Sequence, residues 1–139
     1  MEKFDLKILA CRIFAKKSPA IHKTALGAES LVPFEFYEDI NDWIKENQQT
    51  ENLPIIALEQ SKDSVMLSEF QPPEKFALLL GEEVHGITPE LLDNCDFTVE
   101  IPMFGQKESF NVSVATGIAL FGLIFPARKI ACLENFGLD

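Results

Sequence analysis

Short apolar runs alternate with helix-like stretches along this chain, and that alternation limits its folding more than any other feature. FDLKILAC (4–11) reads as a strand, with Phe4, Leu6, Ile8 and Ala10 in period two. Residues 19–29 carry helix formers, and 31–36 form a short extended piece containing Pro33. Residues 37–49 place Ile40, Trp43 and Ile44 on one helical face. PIIALE (54–59) and FALLL (76–80) read as buried strands, the second introduced by Pro72-Pro73. Thr88-Pro89-Glu90 has the form of a helix start, with Pro at the first helical position of a short helix reaching Asn94. A further strand spans 97–101, and a long apolar helix spans 111–125, with Pro126 expected to stop it. Strands alternating with helices imply an α/β fold: a parallel sheet flanked by helices on both faces. Such sheets bind ligands at the carboxyl ends of their strands. The loops after Glu59, Leu80 and Ile101 leave strands at such ends. At 139 residues, the chain is expected to be one domain, 1–139.

The net charge of −10 bears on partners. A domain that grips nucleic acid alone is usually basic, because neutralising phosphates releases counterions. Any RNA contact here must rest on a local patch or on another chain. Lys3, Lys7, Arg12, Lys16, Lys17 and Lys23 supply the main basic candidates, although charge alone favours reading them as an ordinary solvated surface. Cys11, Cys95 and Cys132 are odd in number and lack CxxC spacing, which argues against a disulfide framework or a zinc site. The expected setting is a reducing cytoplasm. The N-terminus has no signal-peptide pattern, and no apolar stretch is long enough to span a membrane. No internal repeat is present.

Two loops carry unusual chemistry. In LLLGEEVHGIT (78–88), a buried strand runs into Gly81, which permits close backbone approach or a positive φ. Glu82, Glu83, His85 and Gly86 follow. Taken alone, this is an acidic surface turn; it lacks the Lys and Ser/Thr of a phosphate-binding P-loop. In IPMFGQKESFNVSVATGIALF (101–121), Pro102 fixes the exit from a strand and Gly105 lies mid-loop. Ser109, Asn111 and Ser113 then meet a helix start, where each can act as a cap. No His/Cys/Asp ligand cluster suggests a metal.

Read together, GEEVHGITPELLDNCDFTVEIPMFGQKESFNVSVATGIALF closely resembles the last two conserved blocks of SpoU-type (TrmH-like) RNA 2'-O-ribose methyltransferases of the SPOUT superfamily. HKTALGAES (22–30) is similar to a recurrent upstream segment of that family. The resemblance covers roughly residues 4–125, and IPM-x-G-x-x-x-S-x-N-V-S-V-A is its most specific part. It implies a C-terminal deep trefoil knot and S-adenosyl-L-methionine (AdoMet) bound by knot backbone groups. It implies that Gly81, Ile101 and Phe110 touch AdoMet. Leu80, Met103 and Gly105 lie beside them in the same two blocks. Glu83 matches the acidic residue of the second block. Ser109 and Asn111 match the polar pair that organises the active site. The family usually acts as a homodimer on structured RNA, so the resemblance implies transfer or ribosomal RNA as substrate.

This sequence also departs from the family pattern. The family's first block, an Asn followed by an Arg near a helix, normally precedes the strand placed at 4–11, and no such block precedes it here. The expectation is an N-terminally truncated fold with little methyl transfer by this chain alone. The alternative is a catalytically inactive module that binds AdoMet or RNA. Glu82 stands where Asn is common, and Phe110 replaces a usual Leu. A generic α/β metabolite-binding domain is the remaining reading, motivated only by the alternating pattern.

Overall fold

The computed structural model describes residues 6–10, 31, 33, 35–82, 84–106 and 109–135. Five strands, β1 (Leu6–Ala10), β2 (Ile55–Leu58), β3 (Val65–Met66), β4 (Phe76–Leu80) and β5 (Phe97–Glu100), form one sheet in the order β1-β4-β2-β5-β3. Every pairing is parallel, with Ile56 opposite Leu78 and Phe97, and Ala10 opposite Leu80. The helices are α1 (Ile40–Gln49), α2 (Pro89–Leu92) and α3 (Val112–Asn135). The expected parallel sheet flanked by helices is therefore present. The helix expected over 19–29 lies outside the described residues. Of the six basic candidates near the N-terminus only Lys7 is described, and it pairs with Glu51.

Side-chain alternation along the strands divides the core into two layers. Phe76, Leu78 and Leu80 of β4 join Ile56, Leu67 and Val99 on the face covered by Ala119 and Leu123 of α3. Ala77 and Leu79 join Ile55 and Ala57 on the opposite face, covered by Trp43 and Ile44 of α1 and by Ile87. All five β4 residues are buried, the pattern of a central strand with both faces covered. Helix α1 begins at Ile40 rather than at Tyr37 because the Asp39 carboxylate accepts the Asn41 N–H at 2.9 Å and caps it. That hydrogen bond holds the Asp39 carboxyl below its usual range. The buried Asn47 amide is satisfied on both sides: it donates to the Leu53 carbonyl and accepts the Leu53 N–H, each at 3.0 Å.

Two features differ from the sequence reading. Strand β3 was not foreseen. It follows β2 after only six residues, yet it lies beyond β5 in the sheet. Parallel neighbours ordinarily need a dozen or more connecting residues to carry the chain back along the strand. Here Val65 pairs with Val99, which also faces Leu58 at the end of β2, so no return journey is required. Helix α3 also continues through Pro126 to Asn135 instead of stopping. One proline removes a single backbone donor and kinks a helix. The following ARKIACLE is rich in helix formers, which favours continuation of the helix beyond it.

Leu78 is fully buried at the centre of the sheet. Leu78→Ala is expected to lower unfolding free energy by about 2–5 kcal/mol, measured as a reduced urea midpoint at unchanged denaturant slope.

Candidate functional site

The loops leaving β2, β4 and β5 converge at the carboxyl end of the sheet around a cavity of about 450 Å³. The β4 loop is a tight hairpin. The Glu82 N–H donates to the Gly86 carbonyl at 3.2 Å, and the Gly86 N–H returns a bond to the Glu82 carbonyl at 2.9 Å. Gly86 adopts φ +64°, a left-handed conformation that favours glycine. Gly81 is required for a different reason. A Cβ there would lie 2.6 Å from the Gly86 carbonyl carbon, so only a hydrogen lets the hairpin fold back this closely. Both glycines flagged by the sequence thus have a geometric cause.

The β5 loop runs from Ile101 towards α3. Ile101 and Met103 are half-buried against the cavity, while Phe104 beside them is 94% exposed. Ser109 and Phe110 return the chain to the cavity wall. Asn111 then caps α3. Its side-chain carbonyl accepts the Ser113 N–H at 3.0 Å and also the Ser113 hydroxyl, and its main-chain carbonyl accepts the Ala115 N–H.

Leu80, Gly81, Ile101, Met103, Ser109 and Phe110, all singled out from the sequence, therefore line one cavity. Gly105 and Asn111 do not line it: Gly105 is exposed with open space around it, and Asn111 serves the helix start. Glu83 lies outside the described residues. The sequence reading passed over Glu59 and Glu100, which also line the cavity. Glu59 follows a wholly apolar strand at the carboxyl edge, and that position was the available signal. Glu59 accepts the Ile87 N–H at 2.9 Å, and Glu100 accepts the Ser64 hydroxyl at 2.6 Å. His85 Nδ1 lies 3.2 Å from a Glu82 carboxylate oxygen.

Among the described residues, the walls combine apolar side chains with the carboxylates of Glu59, Glu82 and Glu100 and include no Lys or Arg. Such a lining suits a ligand with an apolar or aromatic part and a neutral or cationic centre, and it disfavours a polyphosphate. Among the described residues, no group of three or more His, Cys, Asp and Glu could hold a metal ion, and no helix is long and apolar enough to cross a membrane. The Cys95 thiol is half-buried and donates to the Leu91 carbonyl.

Residues 1–121 match the family model described as the SpoU rRNA Methylase family. The tRNA (guanosine(18)-2'-O)-methyltransferase of Aquifex aeolicus is 35% identical over 88 residues, covering 62% of this chain and 42% of that protein. The 23S rRNA (guanosine-2'-O-)-methyltransferase RlmB of Haemophilus influenzae is 30% identical over 111 residues, covering 79% of this chain and 44% of that protein. The crystal structure of an AdoMet-bound rRNA methyltransferase from Sinorhizobium meliloti superposes with a TM-score of 0.73 at 25% identity, covering 83% of this chain and 43% of that one. The chain thus spans less than half the length of these relatives.

The Asn111 cap makes a direct prediction. Asn111→Ala is expected to cost about 1 kcal/mol of stability, read by urea denaturation, whereas Asn111→Asp keeps the accepting oxygen and is expected to stay near wild type.

Proposed function

This chain belongs to the SpoU rRNA Methylase family, and from that premise we propose that it is a single SpoU-type domain of an AdoMet-dependent RNA 2'-O-ribose methyltransferase acting on transfer or ribosomal RNA. The observation that carries the proposal is the convergence of Gly81, Ile101, Met103, Ser109 and Phe110 on one cavity at the carboxyl end of a parallel sheet. The cavity suits AdoMet chemically. Its volume of about 450 Å³ falls within the range of small-ligand sites. Ile101 and Phe110 offer apolar surface for an adenine ring, and the carboxylates suit a cationic centre.

When bound, AdoMet supplies an electrophilic methyl group on a sulfonium. The residues of the chain hold and exclude. The loop beginning at Gly81 would offer its backbone to the ligand, in a shape that depends on the missing Cβ of Gly81 where it meets Gly86 and Ile87. Met103 and Leu80 add apolar surface to the cavity wall. A ribose 2'-hydroxyl attacks well only once its proton is withdrawn or strongly hydrogen-bonded. We assign that task to the polar group of Glu83, Ser109 and Asn111. Ser109 stands at the cavity wall, and Asn111 orients the loop through its cap on α3. Most of the remaining acceleration comes from holding the hydroxyl oxygen, the methyl carbon and the sulfur in line.

The C-terminal trefoil knot belongs to the same proposal. Its support is the nesting of β5 between β2 and β3, inside the stretch of chain that leads out to β3 and back to β4. We also propose that the active unit is a cytoplasmic homodimer joined through α3. Val114, Ile118, Phe121 and Phe125 recur at helical spacing and stand 38–66% exposed, with the Phe121 and Phe125 rings stacked at 4.8 Å. An exposed apolar face of this kind marks an interaction surface.

Titration calorimetry with AdoMet tests the proposal, together with transfer of labelled methyl to bulk tRNA and rRNA. Binding is expected, and Gly81→Ala is expected to weaken it at least about tenfold, a loss of about 1.4 kcal/mol, because the hairpin must open to admit a Cβ. Absence of heat at millimolar AdoMet would refute the ligand assignment. Sedimentation tests the dimer: Phe121→Glu is expected to shift the chain to monomer without loss of helical signal.

A further inference from the structure

We propose that Glu59 is a positioning residue that locks the β4 loop to the end of β2. Its two carboxylate oxygens divide their work. One accepts the Gln60 N–H and the other the Ile87 N–H, each at 2.9 Å. Gln60 belongs to the chain leaving β2 and Ile87 to the hairpin leaving β4, so one side chain ties together two loops of the cavity. Bonds to an ionised acceptor are the stronger class of hydrogen bond. Among the described residues Glu59 forms no ion pair, so its bonding serves main-chain donors.

Gly86 shows how closely the fit is made. A Cβ on Gly86 would lie 2.4 Å from Oε2, the same oxygen that takes the Ile87 N–H. The absent side chain at Gly86 leaves the space that this carboxylate fills. Glu59, Gly86 and Ile87 therefore form one interlocked unit, and Gly81 packs closely against Gly86 and Ile87. Losing the carboxylate releases the hairpin, and any ligand gripped by the 81–87 backbone is held less well.

The ligand arm of the test rests on the AdoMet reading, while the loop arm does not. Glu59→Gln keeps the shape but turns one acceptor into a donor that faces a backbone N–H. In hydrogen exchange the Ile87 amide is expected to lose protection in this variant, while core amides of β4 keep theirs. AdoMet affinity is expected to fall about tenfold to hundredfold, and equally at low and high salt; a loss that shrinks with added salt would mark Glu59 as a remote charge and overturn the positioning role. Unchanged Ile87 protection, or unchanged affinity despite lost protection, would also overturn it. If wild-type protein binds no AdoMet, the ligand reading fails and Ile87 exchange alone decides the role of Glu59. A mutant cycle supplies a second measure, because Gly86→Ala is expected to cost less stability in a Glu59→Ala background, where its Cβ has room. Additive costs would contradict the interlock.

Discussion

Burial of β4 on both faces is the constraint from which the remaining architecture follows. Its five residues are buried, and it is paired on both edges, by β1 and β2. A strand in that position needs apolar cover above and below, which α3 supplies on one face and α1 on the other. Parallel neighbours then send all their carboxyl ends the same way. The loops after β2, β4 and β5 have little choice but to meet, and a cavity at that edge follows from the sheet's polarity.

The cavity owes its shape to close backbone approach more than to side chains. Gly81 and Gly86 touch where any Cβ would collide, and Glu59 fills the space that Gly86 leaves open. The β5 loop contributes differently. It is anchored at one end by Ile101 in the core cluster and at the other by the Asn111 cap on α3. Between those anchors Met103 turns inward, while Phe104 and Gly105 stay in solvent. The side chains of this loop that line the cavity are thus held by rigid elements on either side, an arrangement that favours accurate alignment of groups within it.

Most of the sheet was legible because β2 and β4 are uninterrupted apolar runs, and length with flanking prolines separates such runs from helices. Strand β3 was not legible. Two residues in SKDSVMLSEF carry no periodicity, and their pairing depends on the register of β5, more than thirty residues downstream. The passage of α3 through Pro126 was missed because a local breaker was weighed without the strong helix formers after it. In the site, the two glycines and the IPM…SFNVSVA block were readable from local pattern. Glu59 was not, because the amide it holds lies 28 residues away. Asn111 was readable both as a cap and as a member of the active-site polar pair, and its cap bond is what the structure displays.

Strand β3 also governs how the sheet meets its surroundings. It is the outer strand on the β5 side and is only two residues long, with Val65 and Met66 exposed. An outer strand normally offers a row of unpaired amides and carbonyls on which another chain can add, and long flat ones seed aggregation. Here the row is too short to template an intruding strand, and the turn at 67–69 immediately bends the backbone away. The brief connection that lets β3 form without a return crossover thereby leaves the sheet a blunt margin on this side.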